Sequence, residues 1–502
     1  MTRTSTKVLS CLLLSLIHLY AFAQTNVSGD VSGTWTTANS PYILTGTITV
    51  PDNQTLIIQP GVEIRSADYQ HRFDIRGTLK AKGTAADSIR FIGVDNSANT
   101  PGSSHAGQIY FHPNGTNSEL QYVAINRWGD VNTYGSALNI YSSSVSITNS
   151  SIRNTEGIAI NLSAPSLSPV ISAVSFFANA KDIEAPASSV GGVSSLTNVV
   201  IHLRSDATST SCTIPKPGPG SYYVFTSNGF EFSANTTTTI SPGVEIRSTN
   251  YSDRLGIRGT LIAKGTAVDS IRLVGFENTA VSSNSSHGGQ VFFYQSSTNS
   301  ELDYVAINRW GDINTYGSAL FISAPASVRI EHSSIRYSEG IGIVTSSASV
   351  TVASSTIQNS GTIGISLATV SIDPVIASVS FSNNPRDIEA PASSVGGISN
   401  CPNVAIYLRS DATSTSCLIP KPGPGAYYVL TSNGFQISGN TTTTIQPGVE
   451  IRSLDYSDRI YVSGTLKAKG TVADSIRFVG FANTTINPNS THGGQLYFYS
   501  SS

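Results

Sequence analysis

The sequence predicts an all-β chain wound as a solenoid of parallel coils, each about 22 residues long. Three observations carry that prediction. Charged residues make up 12% of the 502, about half of the roughly 25% usual in soluble domains, and Ser, Thr, Asn and Gly take their place. Short runs of alternating aliphatic residues, such as SVSIT, GIAINL and AVSF, are separated by Asn, Ser and Gly turn signals and have no helical period. The chain also repeats itself, and one repeat holds a whole extra unit of 22 residues.

In chain order, residues 1–23 read as a secretory signal. Arg3 and Lys7 precede the apolar stretch VLSCLLLSLIHLYAFA, and Ala21 and Ala23 form a cleavage site before Gln24. The apolar run is short and no stop-transfer pattern follows, so no transmembrane span is expected after its removal. The protein is expected to be secreted or held on the outer cell surface. Loss of residues 1–23 removes two positive charges and no acids, which moves the net charge from −2 to −4. That balance gives no support to nucleic-acid binding.

The mature chain divides by repeats. PGVEIRS begins at Pro60, Pro242 and Pro447, at spacings of 182 and 205, and Asp87, Asp269 and Asp474 open DSIR at the same offsets. DIEAPASSVGG begins at Asp182 and Asp387, and IPKPGPG at Ile214 and Ile419, both 205 apart. Cassette 1 therefore spans 24–213, cassette 2 spans 214–418, and 419–502 is the start of a third. The step from 182 to 205 marks an insertion in cassette 2. Ile335 of SSIR matches Ile357 of SSTI, and Ile341 matches Ile363, both 22 apart. A solenoid grows by such units, because each coil needs only its neighbours. Three short strands per coil account for that length, with inward Val, Ile and Leu stacked into one core. QLYFYSSS aligns with QVFFYQSS at an offset of 205, so the chain is expected to be a fragment ending in mid-cassette.

TLIIQPGVEI followed by GTLKAKGTAADSIRF resembles the first coils of secreted bacterial right-handed parallel β-helix proteins of the pectin-lyase-like superfamily. SVSITNSSIRNTEGIAINL is similar to that superfamily's generic coil. The resemblance covers essentially the whole mature chain and implies a right-handed parallel β-helix. For function it implies several classes: lyases, hydrolases and adhesins share the fold. Lyase-like members hold calcium with clustered acids, so Ca2+ is expected only if this chain is a lyase. The sequence has no Asp-Asp pair and no N-T-D, G-H-G, H-E-x-x-H or C-x-x-C motif. No catalytic residue, metal ligand or cofactor is assigned.

The pentapeptide NRWGD supplies the binding candidates, Arg127, Trp128 and Asp130, with Arg309, Trp310 and Asp312. Trp at a coil corner can stack on a sugar while Arg and Asp bond its hydroxyls. In the competing reading Trp seals the core rim, Arg pairs with Asp, and Gly allows the turn. Cys401 and Cys417 are a candidate disulfide in an exported protein, although Leu196 stands where Cys401 would match. His105, His287 and His492 recur beside glycines and are expected to bond backbone. Tyr69, Tyr251 and Tyr456 recur with Arg72, Arg254 and Arg459 and are expected to form surface pairs. The expected function is a non-catalytic adhesion or carbohydrate-contact scaffold for extracellular polysaccharide. The alternative is a polysaccharide lyase or glycoside hydrolase.

Overall fold

The structure is a computed structural model that describes residues 24–66, 68–93, 105–204, 210–226, 228–275, 287–431, 433–480 and 493–500. Residues 1–23, where a signal segment is expected, and His492 lie outside them. Contacts divide the chain into two compact units, Met1–Asn161 with Ala173–Ala180, and Leu162–Ser172 with Lys181–Ser502. Each is described by itself.

The first unit is a parallel solenoid, as expected. One face stacks Glu63–Ser66, Ile89–Ile92, Val123–Asn126, Ser151–Arg153 and Ser175–Phe177. A second stacks Phe73–Ile75, Ile109–Phe111 and Ser136–Ile140, and a third Thr55–Ile58, Thr78–Lys82, Ser118–Gln121 and Val145–Thr148. The second unit repeats the scheme. One of its faces passes through Glu245–Arg247, Ile271–Val274, Val305–Asn308, Ser334–Arg336, Thr356–Gln358 and Ser380–Ser382.

In-register parallel pairing forces like onto like, so the inward positions form aliphatic ladders. Ile246, Leu273, Ile307, Ile335 and Ile357 are one such column, all buried. Burying one such side chain is worth roughly 1.5–3 kcal/mol. Corners turn on single residues with positive φ, among them Asn149, Asn154, Asn359 and Asn383. Asn is the residue that adopts this conformation most readily after Gly. Serines satisfy the corner backbone: Val305 N donates to Ser333 Oγ (3.0 Å), and Ser333 N donates to Ser355 Oγ (3.1 Å).

The repeated VEIRS and DSIR motifs meet in space. Glu245 is buried and accepts from Arg247 Nε of its own strand (2.5 Å) and from Arg272 Nε of the next coil (2.7 Å). Glu63 with Arg65 and Arg90, and Glu450 with Arg452 and Arg477, repeat the triad. Burial pushes the Glu245 carboxyl up, but its hydrogen bonds to Arg247 and Arg272 outweigh that and hold it below the usual range. The motif is thus copied because one buried carboxylate must neutralise cations on two coils.

The inserted unit adds one coil on all three faces, since Val328 pairs with Val350, Ser334 with Thr356, and Ile343 with Ile365. Excision of residues 336–357 joins Ile335 directly to Gln358 and restacks matched neighbours. The shortened chain is expected to keep its β-sheet circular dichroism and a cooperative thermal transition. An unfolded product would refute the independence of the coils.

Candidate functional site

The pentapeptide is a corner. Asn126 and Asn308 end strands, and Arg127 and Arg309 then take φ of 57°, the left-handed region. That reversal turns the next side chain inward. Trp128 and Trp310 are both 0% exposed. Trp128 lies edge-on to Phe91 at 5.6 Å between ring centroids, and Trp310 edge-on to Phe225 at 6.2 Å. Neither indole N–H finds a hydrogen-bond partner among the described residues. The expectation that these tryptophans offer a face to a sugar is therefore corrected: left-handed Arg sends them into the core.

Asp130 and Asp312 are also buried, at 4% and 3% exposure. Asp130 Oδ1 accepts from Asn132 N (3.1 Å) and Thr133 N (2.8 Å), and Asp312 Oδ1 accepts from Asn314 N and Thr315 N at the same distances. The carboxylate closes its own turn, as Asp commonly does. It is committed to backbone, so a ligand role for Asp130 and Asp312 is corrected too. Arg127 and Arg309 are half-buried at the bend.

The turn delivers a tyrosine. Tyr134 Oη donates to Gln70 O (3.0 Å) and Tyr316 Oη to Ser252 O (2.9 Å), each 64 residues back along the chain. There the ring meets an arginine. The Arg72 guanidinium lies 4.9 Å from the Tyr110 ring and 5.8 Å from that of Tyr134. Arg254 lies 3.8 Å from Phe292, 5.4 Å from Tyr294 and 5.5 Å from Tyr316. Phe292 in turn stacks on Phe321 at 5.0 Å, 8° from parallel. Tyr110, Phe292 and Phe321 occupy outward strand positions, where a solvated face ordinarily carries polar residues. The expected pairing of these arginines with Tyr69 and Tyr251 gives way to pairing with the outward strand aromatics.

Acids border both clusters. Arg72 pairs with Asp74 through both carboxylate oxygens, with Nε 2.7 Å from Oδ1 and Nη2 donating to Oδ2 (2.8 Å). Glu231 pairs with Arg258 Nε (2.8 Å) and accepts from Tyr294 Oη (2.6 Å). The hydrogen bond from Arg258 holds the Glu231 carboxyl below its ordinary range.

Two of the recurring histidines approach glutamates. His105 Nδ1 lies 2.8 Å from Glu156 Oε1, and His287 Nδ1 lies 3.7 Å from Glu339 Oε2. Each glutamate also accepts from the backbone beside the buried Asp, from Val131 N and Ile313 N. Burial raises the Glu339 carboxyl, and Asp312 raises it further. Among the described residues no group of three His, Cys, Asp or Glu side chains could hold a metal. Between the usual 4.5 and its raised folded value, the folded Glu339 keeps a proton that the unfolded one releases, so stability falls as pH rises through that window. Glu339→Gln is expected to raise the melting temperature at pH 7 and leave it unchanged at pH 4. Equal shifts at both values would refute the charge argument.

The Cys401–Cys417 disulfide is corrected: both thiols are free. Cys401 is buried at a corner, with Sγ 3.3 Å from Ser399 O, and its backbone stacks on Pro422. Cys417 belongs to the strand Cys417–Ile419 and stacks on Thr443, Sγ to Oγ1 3.4 Å. They occupy different columns of the coil, so stacking holds them apart.

The outward arginine–aromatic clusters were missed because no single segment carries one. Their signal lay in QIYFH, QVFFY and QLYFY, which recur at matching cassette positions. Residues 268–442 match the protein family described as right handed beta helix region. No curated protein and no solved structure matches the chain. The pectin-lyase-like superfamily is consistent with the family match and with the parallel coils.

Proposed function

We propose that this right-handed parallel β-helix protein is an exported, non-catalytic scaffold that contacts extracellular glycan through its repeated arginine–aromatic face. The observation that carries the reading is recurrence. Arg72 with Tyr110 and Tyr134, and Arg254 with Phe292 and Tyr316, hold matching positions in the two full cassettes. In the third, Arg459 lies 6.0 Å from Tyr461, and Tyr497 packs 5.0 Å from Tyr499. Ring faces suit the apolar faces of sugars, and the arginines and half-exposed Glu231 suit their hydroxyls. Several weak copies on one chain gain affinity by avidity.

The test is a panel of neutral and acidic oligosaccharides against residues 24–502, with Tyr110→Ala and Phe292→Ala combined as the variant. Binding is expected to weaken about tenfold in a variant that stays folded. Absence of binding by the intact chain would sink the reading. Depolymerisation of any glycan would replace it with the hydrolase or lyase alternative, for which the Asp312, Glu339 and His287 neighbourhood supplies a carboxyl of raised pKa.

A further inference from the structure

A cleft of about 300 Å³ lies beside the IPKPGPG loop of cassette 2, away from the aromatic face. Lys216, Tyr222, Glu245, Arg247, Asp269 and Arg272 are among the residues that line it. Three cations thus face two carboxylates. Lys216 Nζ pairs with Asp269 Oδ1 at 2.8 Å, and both arginines converge on the single buried carboxylate of Glu245. The arginine side chains are 45% and 55% exposed, while that of Glu245 is 9% exposed. A guanidinium has five N–H donors, so one carboxylate shared by two of them leaves donors over. Arg247 is also fixed in place, with its guanidinium 3.6 Å from the Tyr222 ring centroid. An oriented, half-exposed guanidinium fork with spare donors and a net positive charge is what oxyanion recognition requires.

The same set returns in cassette 3. Arg452 lies 3.5 Å over Tyr427, Lys421 Nζ pairs with Asp474 Oδ1 at 2.9 Å, and Arg452 and Arg477 share buried Glu450. Cassette 1 keeps the triad and Asp87 but has neither the lysine nor the tyrosine. Ser40 stands where Tyr222 would be and accepts from Glu63 N through its Oγ (2.9 Å). The triad is therefore the structural constant, and Lys with Tyr is an addition to it.

We propose that the Lys216–Tyr222–Arg247–Arg272 cleft and its Lys421–Tyr427–Arg452–Arg477 copy bind an oxyanion, a carboxylate or sulfate carried by an extracellular saccharide. This site is separate from the aromatic face and does not depend on it. Titration of residues 24–502 at low salt with a uronic-acid hexasaccharide, a sulfated hexasaccharide and inorganic phosphate tests it. Binding of at least one hexasaccharide is expected at two sites per chain and to weaken with added salt, their relative affinities assigning carboxylate or sulfate; binding of phosphate alone would overturn the saccharide assignment. The variant Tyr222→Ser with Tyr427→Ser installs what cassette 1 carries at Ser40, so the fold is kept. It is expected to weaken binding about tenfold, and Lys216→Gln with Lys421→Gln similarly. Failure of all three probes to bind, or unchanged affinity in both folded variants, would overturn the proposal. Neutral oligosaccharides report on the aromatic face alone, so either site can fail without the other.

Discussion

Trp310→Ala is expected to cost about 3–5 kcal/mol of stability, the range for removing a large buried aromatic. The side chain is 0% exposed and packs edge-on against Phe225, so its loss leaves a cavity that stacked neighbours on both sides cannot close. Thermal melting should show a transition lowered by roughly 10 °C. Trp310→Phe should cost less, because it fills part of the space and removes the indole N–H that has no partner among the described residues. The result separates two roles for NRWGD. A sugar-stacking tryptophan would lose glycan binding and keep its melting temperature; a core tryptophan does the reverse. Wild-type stability in Trp310→Ala would refute the buried assignment.

The second large effect falls on the next residue. Gly311 has φ of 91°, and a Cβ built there would stand 2.4 Å from Ala319 N and 2.6 Å from Ser318 C. Gly311→Ala therefore combines left-handed strain with overlap onto backbone that cannot rotate away. The sum is about 2–4 kcal/mol. Gly129 repeats the situation, with φ of 89° and 2.4 Å to Ala137 N. Gly317 is the internal control. Its φ is 69° but nothing lies within 4 Å, so Gly317→Ala should cost only the backbone strain, about 1 kcal/mol. Equal losses at 311 and 317 in denaturant unfolding would show that the close approach is not what keeps glycine at 311.

Together these constraints account for a pentapeptide copied letter for letter. Arg127 and Arg309 reverse the chain, Trp enters the core, Gly lets one coil touch the next, and Asp closes the turn that carries Tyr134 or Tyr316 outward. Four of its five residues are constrained by packing or backbone. The competing structural reading available from the sequence was right about Trp and Gly. The outward arginine–aromatic clusters draw instead on its downstream tyrosine and on strands from other coils.

The fold was legible because a solenoid writes its period into the chain. Aliphatic residues at inward positions must lie on their copies one coil away, so Ile246, Leu273, Ile307 and Ile335 appear as a repeat long before they appear as a column. The 22-residue insertion was legible for the same reason. The clusters were not. Arg254, Phe292 and Tyr316 come from separate coils, and Glu339 reaches His287 and Ile313 only through coil stacking. The sequence alone determined the coil, its period and its copies, since hydrophobic alternation and turn chemistry act between near neighbours. Tertiary structure decided which side of each corner a residue takes and what it meets there. One left-handed residue at Arg127 or Arg309 buries the tryptophan that composition had marked for binding, and parallel register gathers the exposed arginines and rings from dozens of residues apart.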